Sequence, residues 1–138
     1  MCVKMANSWI HAQASARHFK AGTPEDYHPI HLWIDQFKSQ QGDIRHRAFL
    51  HHTNGPFMAE QQFGPYVEVL KWGSDKLIQI PTRDIAESHI IEDLGWLPTP
   101  ADWMSCMDCA VWMGGKRNKF IGREEMLQKV VDIPNPTR

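Results

Sequence analysis

Apolar residues recur at helical spacing in the first part of the chain. Within residues 30–37, four apolar side chains stand at i, i+3, i+4 and i+7, which predicts a helix with one buried face. An earlier helix is expected from Ser8, as its N-cap, to Lys20, with Gly22 just beyond its end.

Threonine-proline pairs indicate two more helix starts. Thr23-Pro24 and Thr99-Pro100 are each followed by an aspartate three residues after the threonine, as in a capping box. Pro29 complicates the first of them, because a second proline would move the start to about His28. Further helices are expected over residues 56–64, 82–95 and 123–131.

The stretch after residue 37 allows two structures. The apolar stripe continues at helical spacing to residue 51, so one long helix could cross Gly42. Alternatively, two helices meet there and Asp43 caps the second. The pattern leaves this choice open.

One segment has a strand pattern. Two aliphatic runs, residues 67–70 and 77–80, flank Gly73-Ser74-Asp75, which predicts an antiparallel hairpin. A two-stranded ribbon is marginal alone and should lean on the helices. The expected fold is mainly α, a small helical bundle with one β-hairpin, and an α+β fold stays as the alternative.

Length and charge narrow the function classes. The 138 residues suit a single domain, with its core at about residues 5–113 and a C-terminal extension at 114–138. A net charge of −1 gives no reason to expect nucleic acid or a membrane as partner. Three cysteines argue against a disulfide scaffold and favour the cytoplasm. A homo-oligomer stays open.

Histidines and acidic residues concentrate at residues 28–52 and 87–93, often three or four apart on one helix face. Such N and O ligands on facing helices can enclose a transition metal that keeps an open position. We therefore expect a divalent ion, zinc, manganese or iron. The expected ligands are His31, Asp35, His46, His52 and His89, and Glu92 or Asp93 is expected as a ligand or general base.

Each of these residues also has a plainer explanation. Asp43 can cap a helix, Glu92-Asp93 can belong to a solvated face, and His51 can be a hydrogen-bonded core histidine. A network of histidine, carboxylate and arginine would satisfy buried polar groups as well as a metal would.

Arginines and a cysteine pair complete the candidates. The forks of Arg45, Arg47 and Arg83 suit a phosphate or carboxylate, although surface salt bridges are the alternative. Cys106 and Cys109 lack the second ligand pair of a structural zinc site. We expect them to pack, reduced, on the last major helix, whose core face would be Trp103, Met104, Met107 and Val111.

Several motifs, in order, resemble a family of bacterial and phage proteins classed as a domain of unknown function. The resemblance covers about residues 5–113 and brings no activity. It implies that the histidines, arginines and acids form one unit. The motifs are His31-Leu-Trp-Ile-Asp35, Asp43-Ile-Arg-His-Arg47-Ala, Leu50-His-His-Thr-Asn-Gly55, Phe63-Gly64, Pro81-Thr-Arg-Asp-Ile-Ala-Glu87-Ser-His89, Glu92-Asp-Leu-Gly95, Pro98-Thr and Ala101-Asp-Trp103.

Two function hypotheses follow. The first is a metal-dependent hydrolase that acts on a phosphorylated small molecule or nucleotide through the His/carboxylate site. The second is a non-catalytic binding protein, of the kind that phages use, which sequesters a small ligand or blocks a host or defence protein.

Overall fold

A computed structural model describes residues 7–114, which fall into two compact units, residues 7–103 and 104–114. The described residues are mainly helical, with one antiparallel hairpin, as the sequence predicts. The helices are α1 (Ser8–Phe19), α2 (Pro24–Ile34), α3 (Arg47–Leu50), α4 (Asn54–Phe63), α5 (Thr82–Leu94) and α6 (Pro100–Met104), and the strands are β1 (Tyr66–Leu70) and β2 (Leu77–Pro81).

The first two helices differ from prediction at their starts. Asn7, rather than Ser8, caps α1, and its side chain accepts the backbone N–H of Ile10 at 3.0 Å. Helix α2 begins at Pro24 behind a complete capping box, with Pro29 inside it. The start expected near His28 is therefore wrong. The capping box and the burial of the apolar side of α2 outweigh the one helical hydrogen bond that Pro29 removes.

No long helix crosses Gly42. Helix α2 ends at Ile34, and two 3₁₀ segments, Gln36–Ser39 and Ile44–His46, lead to α3. Asp43 caps the second segment by accepting the backbone N–H of Arg45 at 2.9 Å. The alternative in which Asp43 is a cap is therefore the one observed.

The hairpin packs one face onto the helices. Its register pairs Val67 with Ile80 and Val69 with Ile78, so that these four side chains point to the same side. Val69 and Ile80 are buried in the core. The hairpin thus depends on the helices, as expected of a two-stranded ribbon.

Helix α2 lies at the centre of this unit and contacts α1, α4 and α5. Small residues of α1, Ala12 and Ala16, are buried where α1 meets α2. The apolar face of α5 supplies Ile85, Ala86 and Ile90. The polar cluster described below lies beside this core and is held by the same helices.

The segment after Trp103 departs from prediction. Helix α6 ends at Met104, and Cys106 and Cys109 are both exposed. Met104 and Met107 are exposed too, so these two residues are not part of a core face, and the packing role expected of the cysteines is wrong. The helix has only five residues, too few to present a continuous buried stripe.

Two other predictions concern the end of the chain and the absence of a membrane-spanning helix. The helix expected at residues 123–131 and the extension at 114–138 lie outside the described residues except for Gly114. Within the described part, none of the helices combines the length and apolar character that crossing a membrane requires.

Candidate metal centre

Three helices bring imidazoles and carboxylates to one point. Asp35 is the C-cap residue directly after α2, and His51 is the C-cap residue directly after α3. His89 and Asp93 stand four residues apart on one face of α5. One ligand atom from each of these four residues lies within 4.8 Å of all the others, so the cluster could hold a metal ion.

Imidazole nitrogens surround one oxygen of Asp35. The Nε2 atoms of His46 and His89 each lie 3.3 Å from Asp35 Oδ1, and Nε2 of His51 lies 3.4 Å away. On the other side, Asp93 Oδ2 is 3.0 Å from His51 Nε2 and 3.3 Å from His89 Nε2. Two carboxylates thus share the same imidazoles.

These N···O separations are compatible with a coordination shell, and one of them, between His51 and Asp93, also suits an ordinary hydrogen bond. N–H···O bonds centre on about 2.9–3.0 Å, and three nitrogens crowd one oxygen at longer distances here. With metal–ligand bonds of about 2.0–2.1 Å, neighbouring ligand atoms lie about 2.9 Å apart in an octahedron and about 3.4 Å apart in a tetrahedron. The observed 3.0–3.4 Å spans this range.

The hydrogen bonding of His46 supports the same interpretation. Its Nδ1 lies 2.6 Å from the carbonyl oxygen of Asp43, which can only accept, so Nδ1 carries the proton. In the neutral ring, Nε2 is then an acceptor that faces the acceptor Asp35 Oδ1. A cation between the two atoms would turn this contact into an attraction.

Two buried residues, His31 and Ser15, lie behind the ring of His89. Nδ1 of His89 lies 2.8 Å from Nδ1 of His31, and Nε2 of His31 lies 2.8 Å from the hydroxyl oxygen of Ser15. His31, Ser15 and His89 are fully or almost fully buried. A ligating histidine usually donates its other N–H to such a partner, which sets the orientation of its ring.

His11 of α1 connects the cluster to the surface. Its Nε2 lies 3.1 Å from Asp93 Oδ1, and its Nδ1 lies 2.8 Å from Glu92 Oε2. The side chain of Glu92 is 35% exposed, whereas His11 is 1% exposed. Glu92 thus stands at the edge of the cluster rather than inside it.

The charge states suit metal binding. Burial lowers the pKa of His31 to about 2 and also lowers the pKa of His51, so both rings are neutral. Burial alone would raise the pKa of Asp35, but the contacts with His89 and His51 together outweigh it and the pKa falls to about 2. The pKa of Asp93 falls well below its usual range, because contacts with His11, His51 and His89 outweigh burial. Neutral imidazoles and ionised carboxylates are the forms that ligate metals.

His11 itself carries a proton. Burial works against the charged ring, yet the contacts with Asp93 and Glu92 prevail and raise the pKa of His11 to about 9. The positive ring lies between the two carboxylates.

Four of the five predicted metal ligands converge. Asp35, His46 and His89 lie in or against the cluster, and His31 lies behind His89. His52 lies apart from it. Its Nε2 is 3.0 Å from the carbonyl oxygen of Phe49, and its Nδ1 accepts the backbone N–H of Asn54, so it serves the local turn.

The three arginines separate as well. Arg45 forms an exposed fork on Asp43, and Arg83 pairs with Glu60 at the surface. Of the three, only Arg47 reaches the cluster, where its Nη2 atom lies 3.6 Å from Asp93 Oδ1. Its buried Nε has no hydrogen-bond partner among the described residues.

Sequence reasoning missed His11 and left His51 out of the expected ligands, with a hydrogen-bonded core histidine as its plainer explanation. The signal for His11 was its place on the same face as Ala12, Ser15 and Ala16, where small residues let α1 approach α2 closely. The backbone of His51 is held by a hydrogen bond, because Trp103 Nε1 donates to the His51 carbonyl oxygen at 2.9 Å.

A family model described as a domain of unknown function (DUF6915) matches residues 6–113. The chain belongs to this family. Every residue of the cluster lies within the matched range, so the candidate metal centre is part of the DUF6915 domain of this chain. Neither the curated proteins nor the solved structures gave a match to the chain.

Proposed function

We propose that this DUF6915 protein is a metal-dependent hydrolase of a phosphorylated small molecule or nucleotide. The observation that carries the proposal is the convergence of Asp35, His51, His89 and Asp93 at the spacing of metal ligands. His46 would be a further ligand. The proposed location is the cytoplasm, where the two exposed thiols would stay reduced.

The donor set favours zinc, manganese or iron. The cluster offers imidazole nitrogens and carboxylate oxygens and contains no sulfur. Imidazole suits zinc and iron, while carboxylates extend the range to manganese. When bound, such an ion would acidify a water molecule and polarise a phosphoryl oxygen.

Arg47 is the residue that would hold the anionic group. Its side chain is 13% exposed, lies beside Asp93 and leaves its Nε unpaired. A guanidinium in this state can offer a fork to two oxygens of a phosphate. Glu92, exposed and bonded to His11, is the group that could exchange a proton with solvent at the same edge.

A nearby groove bears on the route of the substrate. It has a volume of about 690 Å³ and runs between α1 and α5, with Asp84, Glu87 and Glu92 among its lining residues. No lysine or arginine lines it, so this groove would repel a phosphate. The anionic end of the substrate should therefore enter on the Arg47 side.

Elemental analysis of the native protein, purified without chelator, tests the metal. We expect stoichiometric zinc, manganese or iron in the wild type and its loss in Asp93→Asn, which keeps the side-chain volume. His18→Asn is the matched control, because His18 is exposed on α1 outside the cluster. Equal metal content in all three proteins would contradict the proposed site.

The reaction is tested on the metal-loaded protein with phosphomonoesters and nucleotides. Arg47→Lys keeps the charge but loses the fork, so KM should rise more than kcat falls. If the metal-loaded wild type hydrolyses none of these substrates, the hydrolase proposal is rejected. The metal site itself would not be contradicted by that result.

A binding protein is the second candidate, and exposed apolar residues favour it. Leu70 and Leu77 face each other across the hairpin and are 52% and 63% exposed, with Trp72 nearby in sequence at 50%. Such residues on an outer face can serve a partner protein. The test is to capture a partner with the wild type and with the double variant Leu70→Ser, Leu77→Ser. Binding that the double variant loses, together with inactivity of the metal-loaded chain, would favour this function.

A further inference from the structure

Sulfur ligands are concentrated in the short unit at residues 104–114, outside the His/carboxylate cluster. Five of the ten residues from 104 to 113 contain sulfur. The cysteines Cys106 and Cys109 are exposed, and so are the three methionines Met104, Met107 and Met113. Cysteine is among the most often buried residue types, so packing does not explain this arrangement.

Backbone hydrogen bonds form two turns within this segment. The N–H of Met107 donates to the carbonyl of Met104 at 3.0 Å, which closes a turn around Cys106. The N–H of Met113 donates to the carbonyl of Ala110 at 3.0 Å, in a 3₁₀ segment that begins two residues after Cys109. The C-x-x-C spacing is the one by which paired cysteines ligate a single ion.

We propose that Cys106 and Cys109 form a binding site for a soft monovalent ion, Cu(I), with Met104 or Met107 as an additional ligand. Thiolates suit both zinc and Cu(I), but structural zinc sites take four ligands, whereas Cu(I) is satisfied by fewer and also accepts thioethers. Both thiols lose their protons to solvent on binding, and no redox change of the protein is involved. The site is independent of the hydrolase proposal, because it shares no residue with the His/carboxylate cluster.

The test is an anaerobic competition of the full chain against bicinchoninate, a chromophoric chelator of Cu(I). The wild type should withdraw one equivalent of Cu(I) from the chelator. Cys106→Ser with Cys109→Ser should weaken this binding at least tenfold, and Cys2→Ser should leave it unchanged. Since both thiols are exposed, the double variant should keep the circular dichroism of the wild type.

Two further measurements complete the test. Cu(I) should protect Cys106 and Cys109 from alkylation, whereas Zn²⁺ at the same concentration should not. Asp93→Asn should bind Cu(I) as the wild type does. Equal withdrawal of Cu(I) by the double serine variant, or equal protection by Zn²⁺, would overturn the proposal.

Discussion

At the scale of single residues, the orientation of His89 depends on a chain of two buried partners. His31 faces Nδ1 of His89, and Ser15 faces the far nitrogen of His31. If Nε2 of His89 ligates a metal, its Nδ1–H donates to His31, and His31 donates in turn to the Ser15 hydroxyl. Each bond then fixes the tautomer of the next ring.

We expect Ser15→Ala to lower metal affinity without abolishing it. Loss of a hydrogen-bond partner behind a metal ligand typically costs about 10–100-fold in affinity. Titration with zinc against a chromophoric chelator measures the change. The control is Ser88→Ala, because the Ser88 hydroxyl donates to the carbonyl of Ile85 in its own helix. Unchanged affinity in Ser15→Ala would mean that this chain of contacts does not position His89.

At the scale of elements, one glycine fixes the junction that carries His51. Gly55 is buried at the start of α4, and a Cβ added to it would lie 1.9 Å from the carbonyl oxygen of Leu50. Leu50 directly precedes His51 at the end of α3. The close approach of the two short helices therefore requires glycine at this position.

Gly55→Ala should destabilise the fold, although alanine normally favours a helix. The backbone of α3 would have to move, and such overpacking costs about 1–3 kcal/mol. Urea unfolding measures the change in free energy of unfolding. Gly42→Ala is the control, since an added Cβ there meets no atom within 4 Å and should cost far less. A stable Gly55→Ala protein would show that the α3–α4 junction adapts.

Local patterns predicted the helices and the hairpin, but not every boundary or site residue. The apolar stripes of α2 and α5 were enough to predict that Asp35 and His89 lie close together. His52 was expected as a ligand and the adjacent His51 was not, whereas His51 is the one that lies in the cluster. His51 leaves the helical conformation, with φ −83° and ψ 62°, and this end of α3 decides which ring faces the cluster. No spacing rule supplies that backbone angle.

At the scale of the whole molecule, the candidate metal ligands come from distant parts of the chain. Asp35 and Asp93 are far apart in sequence, and His51 and His89 lie between them. The unfolded chain has no such preformed site, so metal binding favours the folded state. Two ionised carboxylates held near each other also repel, and a bound cation would remove that repulsion.

Metal binding should therefore raise the melting temperature. At a zinc concentration one hundred times Kd, linkage predicts about 2.7 kcal/mol of added stability. For a domain of this size, that corresponds to a rise of roughly 10 °C in Tm. Thermal unfolding with and without zinc, after removal of any bound metal by a chelator, measures it.

The control variants assign the effect to its site. Asp93→Asn should lose most of the rise in Tm, because it removes one of the two carboxylates that the cluster offers. Cys106→Ser with Cys109→Ser should keep it, since these residues lie outside the cluster. Magnesium should have little effect, because it prefers oxygen ligands and keeps much of its water. An equal rise in Asp93→Asn would place the bound zinc elsewhere, and the His/carboxylate cluster would then be a hydrogen-bonded network without a metal.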